Sequence, residues 1–339
     1  MFREIYIIAE VGQAHDGSLG LLHSYIDVVS KTGANAIKFQ MHYADAESSD
    51  LEKFRVNFSY EDKTRYDYWK RMELTFDQWA KIKEHCEEVN LDFIVSPFSI
   101  KAVDFLEQLK VKYYKIASGE IENYLMLEKI SKTGKPLFIS TGMSSYDEIN
   151  STLNILDKFE ASKKRVLFQC TTSYPTSPET LGLNVIKELK KRFNYDVGLS
   201  DHSGHIYPSI ASACFDVKAI EAHIVFDKSM FGPDSNSSLT PINFTEMVDG
   251  VRYIEKSLKN PIEKNDLNFD DMKIMFGKAL SVNKNKFVGD IISIDDLESK
   301  KPADAGIKAK DFESIVGKKL KYQLFKGDFI TYENIENEK

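Results

Sequence analysis

The run IYIIAEVGQAHDGSLGLLHSYIDVVSKTGANAIKFQ, residues 5–40, decides the fold. Ile5 to Glu10 is β-branched and aromatic and reads as a strand. Leu19 to Lys31 reads as a helix stopped by Thr32-Gly33, and Asn35 to Gln40 as a second strand. The same unit recurs down the chain. Strands are predicted at Leu91–Ser96, Tyr113–Ser118, Pro136–Thr141, Arg165–Thr171, Asp196–Ser200 and Val217–His223. Helices are predicted between them. In Phe76–Val89, the residues Trp79, Ile82, Cys86 and Val89 share one face of a 3.6-residue period. Ser145–Leu156 sets Ile149, Leu153 and Leu156 on one side. Eight strand–helix units over about 260 residues match a (β/α)₈ TIM barrel. The rival, a doubly wound sheet, would normally carry a Gly-x-Gly-x-x-Gly turn, and the sequence has none.

The rest of the chain bounds the class. Its 339 residues suggest about two domains. With 45 basic and 52 acidic residues it carries a formal charge of −7, which argues against nucleic acid as a partner. Hydrophobic residues at 42% and charged residues at 29% exclude a disordered, collagen-like or coiled-coil chain. Three scattered cysteines imply no disulfide framework, and Cys170 and Cys214 read as small buried hydrophobes. The first residues meet a charge too early for a signal peptide, and no apolar run reaches membrane length. A cytoplasmic protein without a membrane partner is expected. After Ser257 the texture changes to short strand-like pieces at Ala279–Val282, Ile291–Ser293 and Phe329–Thr331, with a helical stretch at Lys310–Val316. We therefore expect a barrel over 1–262, a linker over 263–275 and a small β-rich domain over 276–339.

In such a barrel the active site lies at the carboxyl ends of the strands. Polar residues recur there. They are Glu10; Lys38 and Gln40; Ser96; Lys115, Ser118 and Glu120; Ser140; Thr172 and Tyr174; Ser200 and His202; and Glu221 and His223. His202 and His223, on neighbouring strands, could share a divalent ion such as Mn, Fe, Co or Zn. They could equally be a loop histidine and a satisfied barrel histidine. Lys38 and Lys115 lie in apolar strands and need anionic partners. With the nearby serines they could cradle a phosphate or carboxylate. Lys38 could instead pair with Glu10 as a structural bridge, or a lysine could form a Schiff base in a class I aldolase or lyase. Glu10 and Glu120 are candidate acid–base or hydroxyl-binding groups. Asp234, in Phe231-Gly232-Pro233-Asp234-Ser235, suits an Asx turn.

Several runs together resemble the sialic acid synthases, which condense phosphoenolpyruvate to make nonulosonic acids. They are Ile-Ala-Glu-Val-Gly-Gln-Ala-His-Asp-Gly (8–17), Ile-Lys-Phe-Gln (37–40), Ser-Pro-Phe-Ser (96–99) and Tyr-Lys-Ile-Ala-Ser-Gly-Glu (114–120). Ser-Thr-Gly-Met (140–143), Cys-Thr-Thr-Ser-Tyr-Pro (170–175), Gly-Leu-Ser-Asp-His (198–202), Glu-Ala-His (221–223) and Gly-Pro-Asp (232–234) continue the series. The tail resembles the antifreeze-like (SAF) domain of that family.

The resemblance implies a condensation with the open form of an N-acylated mannose-type sugar. The acceptor would be N-acetylmannosamine or a 2,4-diacetamido-trideoxy analogue. It implies that Lys38, Ser96, Lys115, Ser118, Ser140, Thr172 and Ser200 hold phosphoenolpyruvate, and that Glu10 acts near its C2 and C3. It implies that His202 and His223 bind a divalent metal, manganese first, with magnesium or cobalt as alternatives. Gln40, Glu120, Tyr174 and Asp234 would meet the sugar. Phe276 and Lys301 would meet it from the partner of a domain-swapped homodimer. Four positions depart from the family pattern. Lys301 stands where many members have Arg, Ala222 where Lys is usual, and Ala14-His15-Asp16-Gly17 where Asn-His-Asn-Gly is common.

Overall fold

A computed structural model describes residues 2, 4–56 and 58–336. The chain divides into two compact units at Asn260/Pro261. The first is built on eight parallel strands: β1 (Tyr6–Gly12), β2 (Ala36–Met41), β3 (Asp92–Pro97), β4 (Tyr114–Ile116), β5 (Leu137–Ser140), β6 (Arg165–Cys170), β7 (Asp196–Asp201) and β8 (Ala219–His223). Their order is β3-β2-β1-β8-β7-β6-β5-β4, and β3 lies against β4, closing a TIM barrel.

Period-2 alternation sorts each strand into two faces. Ile7, Ala9, Ile37, Phe39, Ile139 and Ile220 join the large apolar core between strands and helices. Tyr6, Ile8, Ala36, Ile94, Phe138, Val166, Phe168 and Ala219 form a second cluster that fills the barrel. On β1, β2 and β8 the residues continuing this inner face are Glu10, Lys38, Gln40, Glu221 and His223. The strand register aligns them: Glu10 pairs with Lys38 on β2 and with His223 on β8.

Local chemistry agrees with the reading of most helices. Ser18 caps Leu19–Val29 by accepting from the Leu21 N–H at 3.2 Å. That helix ends before Lys31, where Thr32 Oγ1 donates back to Val29 O at 2.8 Å. Capping boxes open Phe76–Glu88 (Thr75, Gln78) and Tyr146–Lys158 (Ser145, Glu148). Trp79, Ile82 and Cys86 are buried, as the periodicity requires.

The structure adds detail that the sequence pattern did not carry, and it corrects one cysteine. The polar excursion after β2 carries helices Ala44–Glu47 and Arg65–Met72, with Ala44, Tyr68, Trp69 and Met72 in a core of their own. Its apolar residues are too sparse to announce a period. Arg71 ties it down through Asp16 (2.7 Å) and Asp62 (2.9 Å). Cys214 is exposed, because it lies in the 3-10 turn Ala213–Phe215 on the way to left-handed Asp216. The stretch expected as linker contains the helix Asp270–Phe276.

The second unit pairs β9 (Ala279–Val282) with β10 (Leu297–Lys300), antiparallel. The other expected strands appear only as single bridges, at Ile291 and at Phe329, and Ala309–Ser314 is a 3-10 helix. Leu280, Val282, Ile315, Leu320 and Ile330 are among its core. Among the described residues no helix is long and apolar enough to cross a membrane.

Gly198 on β7 is where the barrel filling leaves no room. A Cβ there would stand 2.8 Å from the Phe168 ring and 2.7 Å from the Ala219 carbonyl. Gly198→Ala is expected to lower the stability of the barrel by about 1–3 kcal/mol. Chemical denaturation of the full chain measures it, and an unchanged midpoint would refute the packing account.

Candidate active site

The inward residues open into a cavity of about 430 Å³. Every barrel residue expected at the site lines it, from Glu10 on β1 to Asp234 beyond β8. Phe276 and Lys301 belong to the second unit, where the Lys301 ammonium lies 5.0 Å from the Phe276 ring centroid.

Buried opposite charges form the base of the site. Glu10 Oε1 meets Lys38 Nζ at 3.0 Å. Glu221 Oε1 takes Lys115 Nζ at 3.0 Å, Lys38 Nζ at 3.5 Å and the Ser200 hydroxyl at 3.2 Å. The structural pairing of Lys38 with Glu10 is thus present, and Glu221 joins it. Burial alone would strip the proton from Lys38, but Glu10 and Glu221 outweigh it and hold the ammonium above its ordinary value. For Lys115 burial wins. Glu221 offsets it only in part and Lys38 adds repulsion, so the group lies below its ordinary value. Burial pushes Glu221 up, yet Lys115 and Lys38 carry it down to about 2.

Hydroxyls surround these cations. Lys38 Nζ donates to Ser96 Oγ at 3.4 Å. Ser118 Oγ accepts from the Gly142 N–H at 3.2 Å. A side chain at Gly142 would collide with Ser118, Cys170 and Thr172, so the close approach requires glycine. Ser140 and Thr172 complete the lining.

The imidazoles of His202 and His223 meet edge to face, with centroids 5.4 Å apart and an interplanar angle of 60°. His202 Nδ1 donates to Thr171 O at 3.0 Å, which leaves its Nε2 as the acceptor. Nε2 lies 3.3 Å from the Tyr174 hydroxyl and 3.4 Å from Ser200 Oγ. Burial, with His223 as a second cause, lowers His202 to about 3. Tyr174 stacks on His202, with centroids 4.3 Å apart. Glu120 is held by Asn123 Nδ2 at 2.8 Å; burial raises it and nearby Glu47 adds to the shift.

Sequence reasoning missed one wall of the cavity. The excursion after β2 supplies Arg55, Phe58, Arg65, Tyr68 and Trp69, and the segment leading into it supplies His42 and Glu47. Arg55 pairs with Asp234 at 2.9 Å and lies 4.3 Å from the Tyr174 centroid. Asp234 therefore has an ionic partner rather than the bare Asx-turn role. Gln13 was also missed. The signal available for this wall was the density of aromatic and basic residues in an apparent loop.

A (β/α)₈ barrel with its charged groups and imidazoles gathered at the strand ends is the architecture of an enzyme. A family model described as the NeuB family matches residues 25–263, and one described as the SAF domain matches 288–336. The N,N'-diacetyllegionaminic acid synthase of Campylobacter jejuni is 33% identical, over 93% of this chain and 96% of its own. The human N-acetylneuraminate-9-phosphate synthase is 31% identical, over 98% of this chain and 93% of its own. The crystal structure of an N-acetylneuraminic acid synthetase from Leptospira borgpetersenii matches with a TM-score of 0.69 at 28% identity, covering 80% of this chain and 90% of that one. The chain belongs to the NeuB family and carries an SAF domain in its C-terminal part.

Glu221→Gln would leave two buried ammonium groups sharing one carboxylate. We expect a loss of about 3–5 kcal/mol at neutral pH. Because the folded carboxyl lies below its ordinary value, its contribution is full above about pH 4.5 and fades as pH falls toward 2. Denaturation curves of both proteins at several pH values should therefore converge at the acid end. A constant gap would refute the ion-pair account.

Proposed function

We propose that this chain condenses phosphoenolpyruvate with the aldehyde of an N-acylated mannose-type sugar to give a nonulosonic acid and phosphate. It is a transferase of the sialic acid synthase type, the kind of enzyme its named relatives are. The observation that carries the substrate is the pair of buried ammonium groups, Lys38 and Lys115, among Ser96, Ser118, Ser140, Thr172 and Ser200. A phosphorylated carboxylate needs both fixed cations and hydroxyl donors.

The reaction balances as follows. C3 of phosphoenolpyruvate adds to the aldehyde carbon, water adds to C2, and the proton that the water gives up ends on the aldehyde oxygen, which becomes a hydroxyl. The bond from C2 to the phosphate oxygen then breaks, leaving the keto acid and free phosphate. Glu10 is suited to orient the water or take its proton, because Glu10 Oε2 is buried without a hydrogen-bond partner. Gln40, Glu120, Tyr174 and Asp234 would receive the sugar, which is N-acetylmannosamine or a 2,4-diacetamido-trideoxy analogue. A second copy would supply Phe276 and Lys301 in a domain-swapped dimer. The Phe276 ring is 55% exposed and available for stacking.

His202 and His223 suit a divalent cation. His202 turns a lone pair toward the cavity while its other nitrogen is anchored to Thr171 O. Among the described residues no three His, Cys, Asp or Glu side chains are grouped to hold a metal, so water or substrate oxygens would complete the shell. Manganese is the ion we expect, with magnesium or cobalt as alternatives. When bound, it would supply Lewis-acid polarisation of the sugar aldehyde.

One observation favours a second reading. Burial holds Lys115 below its ordinary value, as a Schiff-base lysine requires. Borohydride trapping with pyruvate would label that lysine in a class I aldolase or lyase and leave a condensing synthase unlabelled.

Phosphate release that needs both phosphoenolpyruvate and a sugar, across 2-acetamido and 2,4-diacetamido sugars, tests the proposal, with the nine-carbon product read by mass. No release from metal-loaded protein overturns it. Lys115→Met is expected to raise the KM for phosphoenolpyruvate about tenfold or more. His202→Ala is expected to lose metal and turnover while the melting temperature holds.

A further inference from the structure

A chain of hydrogen bonds leads away from Glu10 into the wall that sequence reasoning missed. Glu10 Oε1 accepts from Gln40 Nε2 at 2.7 Å. Gln40 Oε1 accepts from Gln13 Nε2 at 2.5 Å. Gln13 Nε2 also lies 3.1 Å from His42 Nε2. His42 Nδ1 lies 2.6 Å from Glu47 Oε1. The His42 ring is clamped between Trp69 and Phe98, with centroids 3.8 and 4.3 Å away and interplanar angles of 14° and 20°. Glu10, Gln13 and His42 are buried, and the Glu47 side chain is 7% exposed.

His42 Nε2 also lies 3.3 Å from Gln40 Oε1, but the shorter contacts, to Gln13 at 3.1 Å and to Glu47 at 2.6 Å, select the assignment. A carboxylate only accepts, so Gln40 must turn its N–H to Glu10 and its oxygen to Gln13. Gln13 must then present its nitrogen, whose second hydrogen points at His42 Nε2. That nitrogen is therefore the acceptor, and the ring hydrogen sits on Nδ1, facing Glu47. A hydrogen on Nε2 instead would oppose the Gln13 N–H and leave two acceptors 2.6 Å apart at Glu47.

Backbone geometry brings Gln13 to this place. The β1–β2 register shifts between Glu10 and Gly12, and Gly12 adopts φ +53. A bulge of this kind re-aims the residues beside an active site.

We propose that His42 is a positioning residue: anchored by Glu47, it fixes the Gln13 and Gln40 amides and so presents Glu10 Oε2 to the reacting atoms. Oε1 is spent on Lys38 and Gln40, whereas Oε2 is buried without a hydrogen-bond partner. Without the relay the Gln40 amide can flip and set its oxygen against the carboxylate. This assignment also commits one Gln40 N–H to Glu10, so a sugar can use only its other N–H and the second lone pair of its oxygen. The inference rests on Glu10 as the reacting carboxylate in the function proposed above.

Steady-state kinetics of the metal-loaded chain, residues 1–339, test it. His42→Phe keeps an aromatic ring between Trp69 and Phe98 but removes both nitrogens. His42→Gln keeps an acceptor for Gln13 but loses the ring. A purely structural role ranks Phe above Gln in kcat, and the relay ranks Gln above Phe. We expect kcat of His42→Phe to fall about ten- to hundredfold, with the KM for phosphoenolpyruvate within about twofold of wild type. Glu47→Leu, which leaves the ring stack in place, should show the same split and stands in if His42→Phe does not fold. Unchanged kcat in His42→Phe or in Glu47→Leu, or Phe above Gln, overturns the inference and leaves the proposed function standing. Full turnover by Glu10→Gln would instead overturn the role of Glu10, and the relay with it.

Discussion

Glu221 Oε1 accepts from three groups at once, Lys115, Lys38 and Ser200, and the side chains of the carboxylate and both lysines are no more than 4% exposed. Unpaired, each of those ammonium groups would cost several kcal/mol to bury. The arrangement depends on register. β8, β1 and β2 are neighbours, and Glu10 stands beside His223 on one side and Lys38 on the other. A slip of one residue in β1 would send Glu10 outward into the apolar layer that holds Ala9. Packing and charge thus enforce the same register, because Ile8 and Tyr6 need the barrel interior as much as Glu10 needs Lys38.

That coupling explains which parts of the site were legible in the sequence. A strand with apolar residues on both faces and a charge at its end leaves that charge few places to go. Glu10, Lys38, Lys115, His202 and His223 could therefore be placed at one mouth once the strands were read as a barrel with its site at their carboxyl ends. The partner choice was less legible. Lys38 with Glu10 was foreseeable from neighbouring strands, but Glu221 was seen only as a strand-end residue. Its role emerges when β7 and β8 place Ser200 opposite it and the barrel curvature brings Lys115 across.

The wall contributed by residues 42–69 shows where pattern fails. Its helix Arg65–Met72 buries Tyr68, Trp69 and Met72 against Phe54 and Phe58, a local core whose members are spread over an irregular loop. No period of 2 or 3.6 spans such a segment. The second unit fails for a related reason. Apart from β9 and β10 its extended pieces meet through single bridges, so bends and 3-10 turns replace the alternation that strand prediction reads. Its core residues, such as Ile292, Ile307 and Ile330, are apolar but unevenly spaced.

The barrel filling adds a further constraint on the chemistry. Phe138 and Phe168 pack edge to face with centroids 5.8 Å apart, and the Lys115 ammonium lies 5.0 Å from the Phe168 ring. Such a dry, aromatic base strengthens every charge interaction above it. Two ammonium groups and two carboxylates nearly cancel, so an entering anion meets cations that already have partners. Both carboxylates, however, commit Oε1 to the cations and leave Oε2 without a hydrogen-bond partner. The site therefore combines cations that an anion can share with buried acceptors that still lack a donor. A substrate pair that brings an anionic group together with a proton-bearing one satisfies both at once. An anion alone would have to displace a carboxylate from Lys38 or Lys115 and would leave those acceptors unpaired.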